Sequence, residues 1–184
     1  MKKNSALKLS IMGLLIAIGI VIPMFSPFKI VLEPASFTLA SHVAIFIAMF
    51  VSPDTAAAVA VGTAIGFFLG GFPLVIVARA ASHIVFALGG AFYLSKIDKT
   101  AITALKLRVF SFIIALVHAA CELVAVSFFF YSGAMSDAYY RKGFLLSVLL
   151  LVGLGTVVHS MVDFEIAHIV VLALQKQQSF KKIV

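Results

Sequence analysis

Residues 73–88 read Pro-Leu-Val-Ile-Val-Ala-Arg-Ala-Ala-Ser-His-Ile-Val-Phe-Ala-Leu, an apolar run interrupted by Arg79 and, four positions later, by His83. The i,i+4 spacing stacks the two side chains on one helix face. A charge at the centre of a membrane helix costs roughly 2.5–3.5 kcal/mol on insertion scales, so such residues usually line a site or a water-filled cavity. The device recurs at His118–Glu122 and His159–Asp163. These three pairs matter only if the surroundings are a membrane bundle.

Composition says that they are. The 184-residue chain is 63% hydrophobic and 11% charged, whereas a soluble domain carries about 25% charged residues. The expectation is a multi-pass protein of a prokaryotic cytoplasmic membrane, folded as one transmembrane domain over residues 1–184. A net charge of +7 invites a nucleic-acid partner, but its distribution argues against one. Lys2, Lys3 and Lys8, then Lys96, Lys99, Lys106 and Arg108, then Lys176, Lys181 and Lys182 flank apolar segments. The positive-inside rule puts those three groups on the cytoplasmic side. Basicity here encodes topology.

Cys121 is the only cysteine, which excludes an internal disulfide and reads as a small buried hydrophobe. Lys2 and Lys3 before an apolar stretch resemble a signal peptide. No small-x-small cleavage site follows, and Pro23 and Pro27 come instead, so the segment reads as a retained first span.

The punctuation predicts an all-α bundle of six transmembrane helices. The first covers about Ala6–Met24, and a loop from Phe25 to about Phe37 carries Lys29, Glu33 and Pro34. A short second helix ends near Val51, and Ser52-Pro53-Asp54 starts the third, with Asp54 as cap. That helix extends to the turn Gly70-Gly71-Phe72-Pro73, and the fourth covers Pro73 to about Ser95. The fifth follows the basic loop Lys96–Arg108 and ends near Tyr131; the sixth runs from about Phe144 to Leu174. An even number of spans puts both termini in the cytoplasm.

Depth decides which polar groups meet. At 1.5 Å per residue, Arg79 lies ~9 Å and His83 ~15 Å below the outer face, with Glu122 ~13 Å and His118 ~20 Å down. Arg79, His83 and Glu122 thus share one level and can converge on one pocket, with His118 a turn or so deeper. His159 lies ~22 Å deep and Asp163 deeper, so they join that pocket only if the preceding loop folds inward or the helix tilts. Otherwise they form an inner cluster with Glu165 and His168.

Two readings stand for Arg79: a permanent pair with Glu122 that locks the bundle, or a guanidinium fork holding an anionic ligand. Interhelical hydrogen bonding is as good an account of His83 and His118 as ligand contact. Ser36 or Thr38 can cap a helix start, while the stretch from Glu33 to His42 can also lie over a site as a lid.

Small residues form two stripes. Ala6, Ser10, Gly13 and Ala17 share one narrow face of the first helix, and Ala56–Ala58, Ala60, Gly62, Gly66 and Gly70 enrich the third. Such stripes let helix backbones approach closely in lipid, within the bundle or against a partner. No P-loop, H-E-x-x-H or paired C-x-x-C occurs, so ATP binding by this chain and the familiar metal motifs are not expected.

Taken together, the six-span size, the basic flanks and Gly13-Leu14-Leu15-Ile16-Ala17 resemble the substrate-binding S components of energy-coupling factor vitamin transporters. That segment is similar to the family's small-xxx-small docking motif, with Gly13 in place of the more usual alanine. The segments Pro34–His42 and Gly66–Pro73 look most like the pantothenate or niacin S components.

The resemblance implies a vitamin bound at the outer face, under the loop joining helices one and two, with no cofactor, metal or catalysis of its own. It implies docking of Ala6, Ser10, Gly13 and Ala17 on a transmembrane coupling (T) subunit that carries two ATPases. Carried onto this sequence, Arg79 holds the vitamin carboxylate and Glu122 accepts from hydroxyls. His83, His118, Thr38, Ser36 and His159 are further polar contacts, and Phe37 is an apolar wall. The number of polar groups favours pantothenate; niacin, wanting aromatic stacking in a chain without tryptophan, is the alternative. The rival classes are a self-sufficient proton-coupled carrier and an intramembrane enzyme.

Overall fold

The computed structural model describes residues 2–32, 35–97 and 103–181, without the side chains of 2–4, 31, 32, 36, 179 and 181. Glu33, Pro34, Lys99 and Lys182 therefore lie outside the described residues, as does the side chain of Ser36.

Helix α1 (Lys2–Phe25) is polar in its first turns and apolar from Ile11 onward, with Pro23 in its last turn. It packs on α3 (Pro53–Leu69) where Ile16 and Ile20 lie over Gly62 and Gly66; a Cβ at Gly62 would come within 2.8 Å of Ile16 Cδ1. Lys8 and Asp54 pair across the two helices at 2.6 Å. Gly62 and Gly66 are thus used inside the bundle, where Ala56 and Ala60 are also buried. The α1 stripe is not: Ala6, Ser10, Gly13 and Ala17 are all exposed.

The segment after α1 is not a loop. Strands β1 (Lys29–Leu32) and β2 (Ala35–Thr38) form an antiparallel hairpin, with Lys29 opposite Thr38 and Ile30 opposite Phe37. Lys-Ile-Val-Leu and Ser-Phe-Thr are β-prone runs, and they are the signal that an all-α reading passes over. Ser36 and Thr38 accordingly lie in a strand rather than cap a helix.

Helix α2 (Val43–Val51) has only nine residues, all buried. At ~14 Å it is too short to cross a ~30 Å hydrocarbon core by itself. Ser52 is the N-cap of α3, accepting from Thr55 N at 3.4 Å. Asp54, expected as the cap, instead sits in the first turn, where its charge complements the helix dipole.

Helices α4 (Leu74–Lys96) and α5 (Ala104–Tyr131) are long and regular, the latter capped by Thr103. The expected single helix from 144 to 174 is more irregular. Helix α6 (Asp137–Phe144) breaks at Gly143, whose φ of 73° suits glycine. Leu145–Leu154 is wound as a π-helix and passes into α7 (Gly155–Leu174); a final turn, α8, covers Gln178–Lys181.

Among the described residues, four helical stretches are long and apolar enough to cross a membrane: Ser5–Phe25, Leu74–Lys96, Ala104–Tyr131 and Asp137–Leu174. The shorter Pro53–Leu69 is also apolar. The architecture is a helical membrane bundle with a β-hairpin at one end. Its core surrounds α2, where Phe46 packs against Phe86 and Phe164 with ring centroids 5.6 and 5.3 Å apart.

Candidate functional site

A cavity of about 150 Å³ opens beneath the hairpin, walled by β1, β2, the turn before α2, and helices α3, α4, α5 and α7. Helix α4 supplies Arg79 and His83 one turn apart, and α5 answers with Glu122. Arg79 Nη2 donates to Glu122 Oε2 at 2.8 Å, and Thr156 Oγ1 on α7 donates to the same oxygen at 2.6 Å. Oε1 of Glu122 lies 3.2 Å from His83 Nε2 and 3.5 Å from His118 Nε2. Five helical polar residues therefore meet around one carboxylate, among them Arg79, His83 and Glu122, which helix rise places at one level. Glu122 and His118 are almost wholly buried, so this carboxylate depends on its partners for the solvation that lipid cannot give.

Arg79 lines the cavity while paired with Glu122, and its buried Nε makes no hydrogen bond among the described residues. Lys29 on β1 adds a second cation at the cavity.

His159 and Asp163 are not a separate inner cluster. Residues 39–42 fold inward, with Ala40 at the positive φ of 67°, and the Asp163 carboxylate receives the start of α2. Asp163 Oδ1 accepts from Ala40 N at 2.7 Å, and Oδ2 accepts from His42 N at 2.9 Å. Non-helical backbone at membrane depth needs such protein-supplied partners. His159 Nε2 meets Ser41 Oγ at 3.0 Å and Asp163 Oδ2 at 3.3 Å. Glu165 is exposed and His168 stacks on Phe50, so neither belongs to the site.

The residue at the centre of this arrangement is His42. Its ring lies 4.9 Å from that of His83, 4.7 Å from His118 and 5.0 Å from His159. Donor atoms of His42, His83, His118 and Glu122 all lie within 4.8 Å of one another, and those of His42, His159 and Asp163 form a second such group. The sequence shows His42 only as the end of a loop, because its partners are 41, 76, 80, 117 and 121 positions away.

Phe37 and Thr38 line the cavity, Phe37 packing near the His159 ring at 5.6 Å. The Phe37 ring also lies over Gly155, where a Cβ would strike it. Phe67 and Phe72, stacked at 4.6 Å and 21°, complete an aromatic side.

No family model matches this chain, and no solved structure matches it. A curated protein does: the Niacin transporter NiaX of Lactococcus lactis subsp. cremoris (strain MG1363) is 42% identical over 166 residues, covering 90% of this chain and 73% of the relative. With its long apolar helices, this relationship makes the chain a multi-pass protein of the cell membrane that serves transport rather than catalysis. The chain belongs to the family of that transporter, the substrate-binding S components of energy-coupling factor vitamin importers, which its first-helix and loop segments resemble.

Proposed function

We propose that this chain is the high-affinity niacin-binding subunit of an energy-coupling factor importer, with nicotinate seated between Arg79 and the aromatic side of the cavity. The observation that carries this reading is the size and lining of the cavity. A void of about 150 Å³ is the size that accommodates one six-membered aromatic ring. Arg79 and Lys29 offer cations for one carboxylate, and guanidinium matches a carboxylate bidentately. Phe37, Phe67 and Phe72 supply the apolar walls for which the sequence offers no tryptophan.

Pantothenate, the expectation from counting polar residues, is the poorer fit. Most of those residues are engaged with each other: Glu122 already accepts from Arg79 and Thr156, and Asp163 from the backbone of residues 40 and 42. Few groups remain for a flexible chain with two hydroxyls and an amide. The name of the Lactococcus relative favours niacin as well.

In this reading residues 1–184 form one domain, six segments cross the bilayer, and both termini are cytoplasmic. The inward turn at 39–42 completes the short α2 as a span. The exposed stripe Ala6, Ser10, Gly13 and Ala17 meets the T subunit, which carries two ATPases.

The test is calorimetry on the detergent-purified protein with nicotinate, nicotinamide and pantothenate. Nicotinate binds, nicotinamide binds far more weakly for want of the carboxylate, and pantothenate does not bind. Tight pantothenate binding without a nicotinate signal would overturn the assignment.

A further inference from the structure

We infer that His42, His83, His118 and Glu122 form a binding site for a divalent first-row transition ion, best matched by Zn²⁺, at the floor of the cavity. The inference does not depend on which vitamin the cavity takes.

The spacing is that of a ligand set. Around a tetrahedral ion with bonds of 2.0–2.1 Å, neighbouring donor atoms lie about 3.3 Å apart. Glu122 Oε1 is 3.2 Å from His83 Nε2 and 3.5 Å from His118 Nε2. All four donors, His42 included, lie within 4.8 Å of one another. Three imidazoles and one carboxylate suit zinc and its neighbours in the series and are a poor set for Mg²⁺ or Ca²⁺.

The outer contacts fit as well. Metal-bound histidines usually pass their other ring nitrogen to a carboxylate or hydroxyl, which fixes the ring and leaves the inner nitrogen for the ion. His42 Nδ1 lies 3.1 Å from Asp163 Oδ2, and His118 Nδ1 lies 3.2 Å from Ser160 Oγ. Glu122 divides its oxygens in the same way: Oε2 is held by Arg79 and Thr156, and Oε1 faces the imidazoles.

An independent observation points to a missing partner: His118 Nε2, one of the proposed ligand atoms, is buried with no hydrogen bond among the described residues. Buried polar atoms in native proteins are satisfied in the great majority of cases. An ion gives His118 Nε2 its partner. His42, His83 and Glu122 also line the cavity, so a bound ion faces the ligand space.

The probe is Co²⁺, added to EDTA-stripped, detergent-solubilised protein carrying a tag without histidines. The expected result is a saturable visible absorption typical of tetrahedral Co²⁺, complete at about one equivalent per chain and displaced by Zn²⁺. His118→Ala and His83→Ala abolish it, and His168→Ala, outside the cluster, leaves it intact. Because loss of a buried imidazole can disturb folding, Ser160→Ala supplies a milder variant. It keeps every ligand and should weaken Co²⁺ binding about 10–100-fold. Absence of a saturable spectrum in the wild-type protein, or an undiminished one in His118→Ala, overturns the site and shows the cluster to be a hydrogen-bonded network alone.

Discussion

Asp163 holds His42 at two points, accepting from its backbone N at 2.9 Å and lying 3.1 Å from its ring Nδ1, across 121 positions of sequence. One carboxylate on α7 thereby does for α2 what a local cap does for an ordinary helix, and it orients the imidazole at the middle of the site. The non-helical turn ahead of α2 becomes tolerable at membrane depth because these donors are satisfied by protein.

Asp163→Asn tests that relationship. An amide presents a donor where one carboxylate oxygen accepted, so one backbone N–H of residues 40 and 42 loses its partner. A buried unsatisfied group costs about 1–3 kcal/mol. Thermal denaturation in detergent should show a clear fall in midpoint, and an unchanged midpoint would remove Asp163 as the anchor of α2.

Arg79→Gln should abolish nicotinate binding and lower stability together. The variant loses the proposed carboxylate partner and also strands Glu122, and breaking a buried pair from one side costs about 3–5 kcal/mol. Calorimetry and thermal denaturation on one preparation separate the two effects. Retained affinity would leave Arg79 with only its structural pairing to Glu122 at 2.8 Å.

Gly13→Leu and Ala17→Leu should leave vitamin binding unchanged and stop uptake in cells. Both positions are exposed, and nothing lies within 4 Å of a Cβ placed at Gly13. The added bulk has no neighbour inside this chain to disturb. Normal uptake would show that the stripe faces only lipid.

Gly155→Leu should loosen the hairpin. The Phe37 ring fills the space above Gly155, so a side chain there must push β2 away from α7. Overpacking of this kind costs about 1–3 kcal/mol, roughly five- to 150-fold in affinity if it falls on the bound state. Nicotinate dissociation followed by competition with labelled ligand measures it, and an unaltered off-rate would show that Phe37 does not secure the ligand.

Much of this was legible in the linear chain. Low charge, long apolar runs and flanking lysines dictate a membrane bundle, because lipid admits little else. The i,i+4 pairs Arg79–His83 and His118–Glu122 announce inward faces, and helix rise alone places Arg79, His83 and Glu122 at one level. The stripe of small residues on α1 is likewise a property of one helix, and its four residues are exposed. The β-hairpin was written in Lys29–Leu32 and Ser36–Thr38, but an apolar context hides four-residue strands.

What only the tertiary structure decided is everything built from non-local contacts. The π-wound stretch Leu145–Leu154 and the break at Gly143 set the position of α7, and with it Thr156, His159 and Asp163. The turn at 39–42 dips inward because Asp163 receives its backbone, bringing His42 among three other imidazoles. Periodicity governs which residues share a face of one helix. It says nothing of where a short buried segment ends when its hydrogen-bond partners lie more than a hundred residues away.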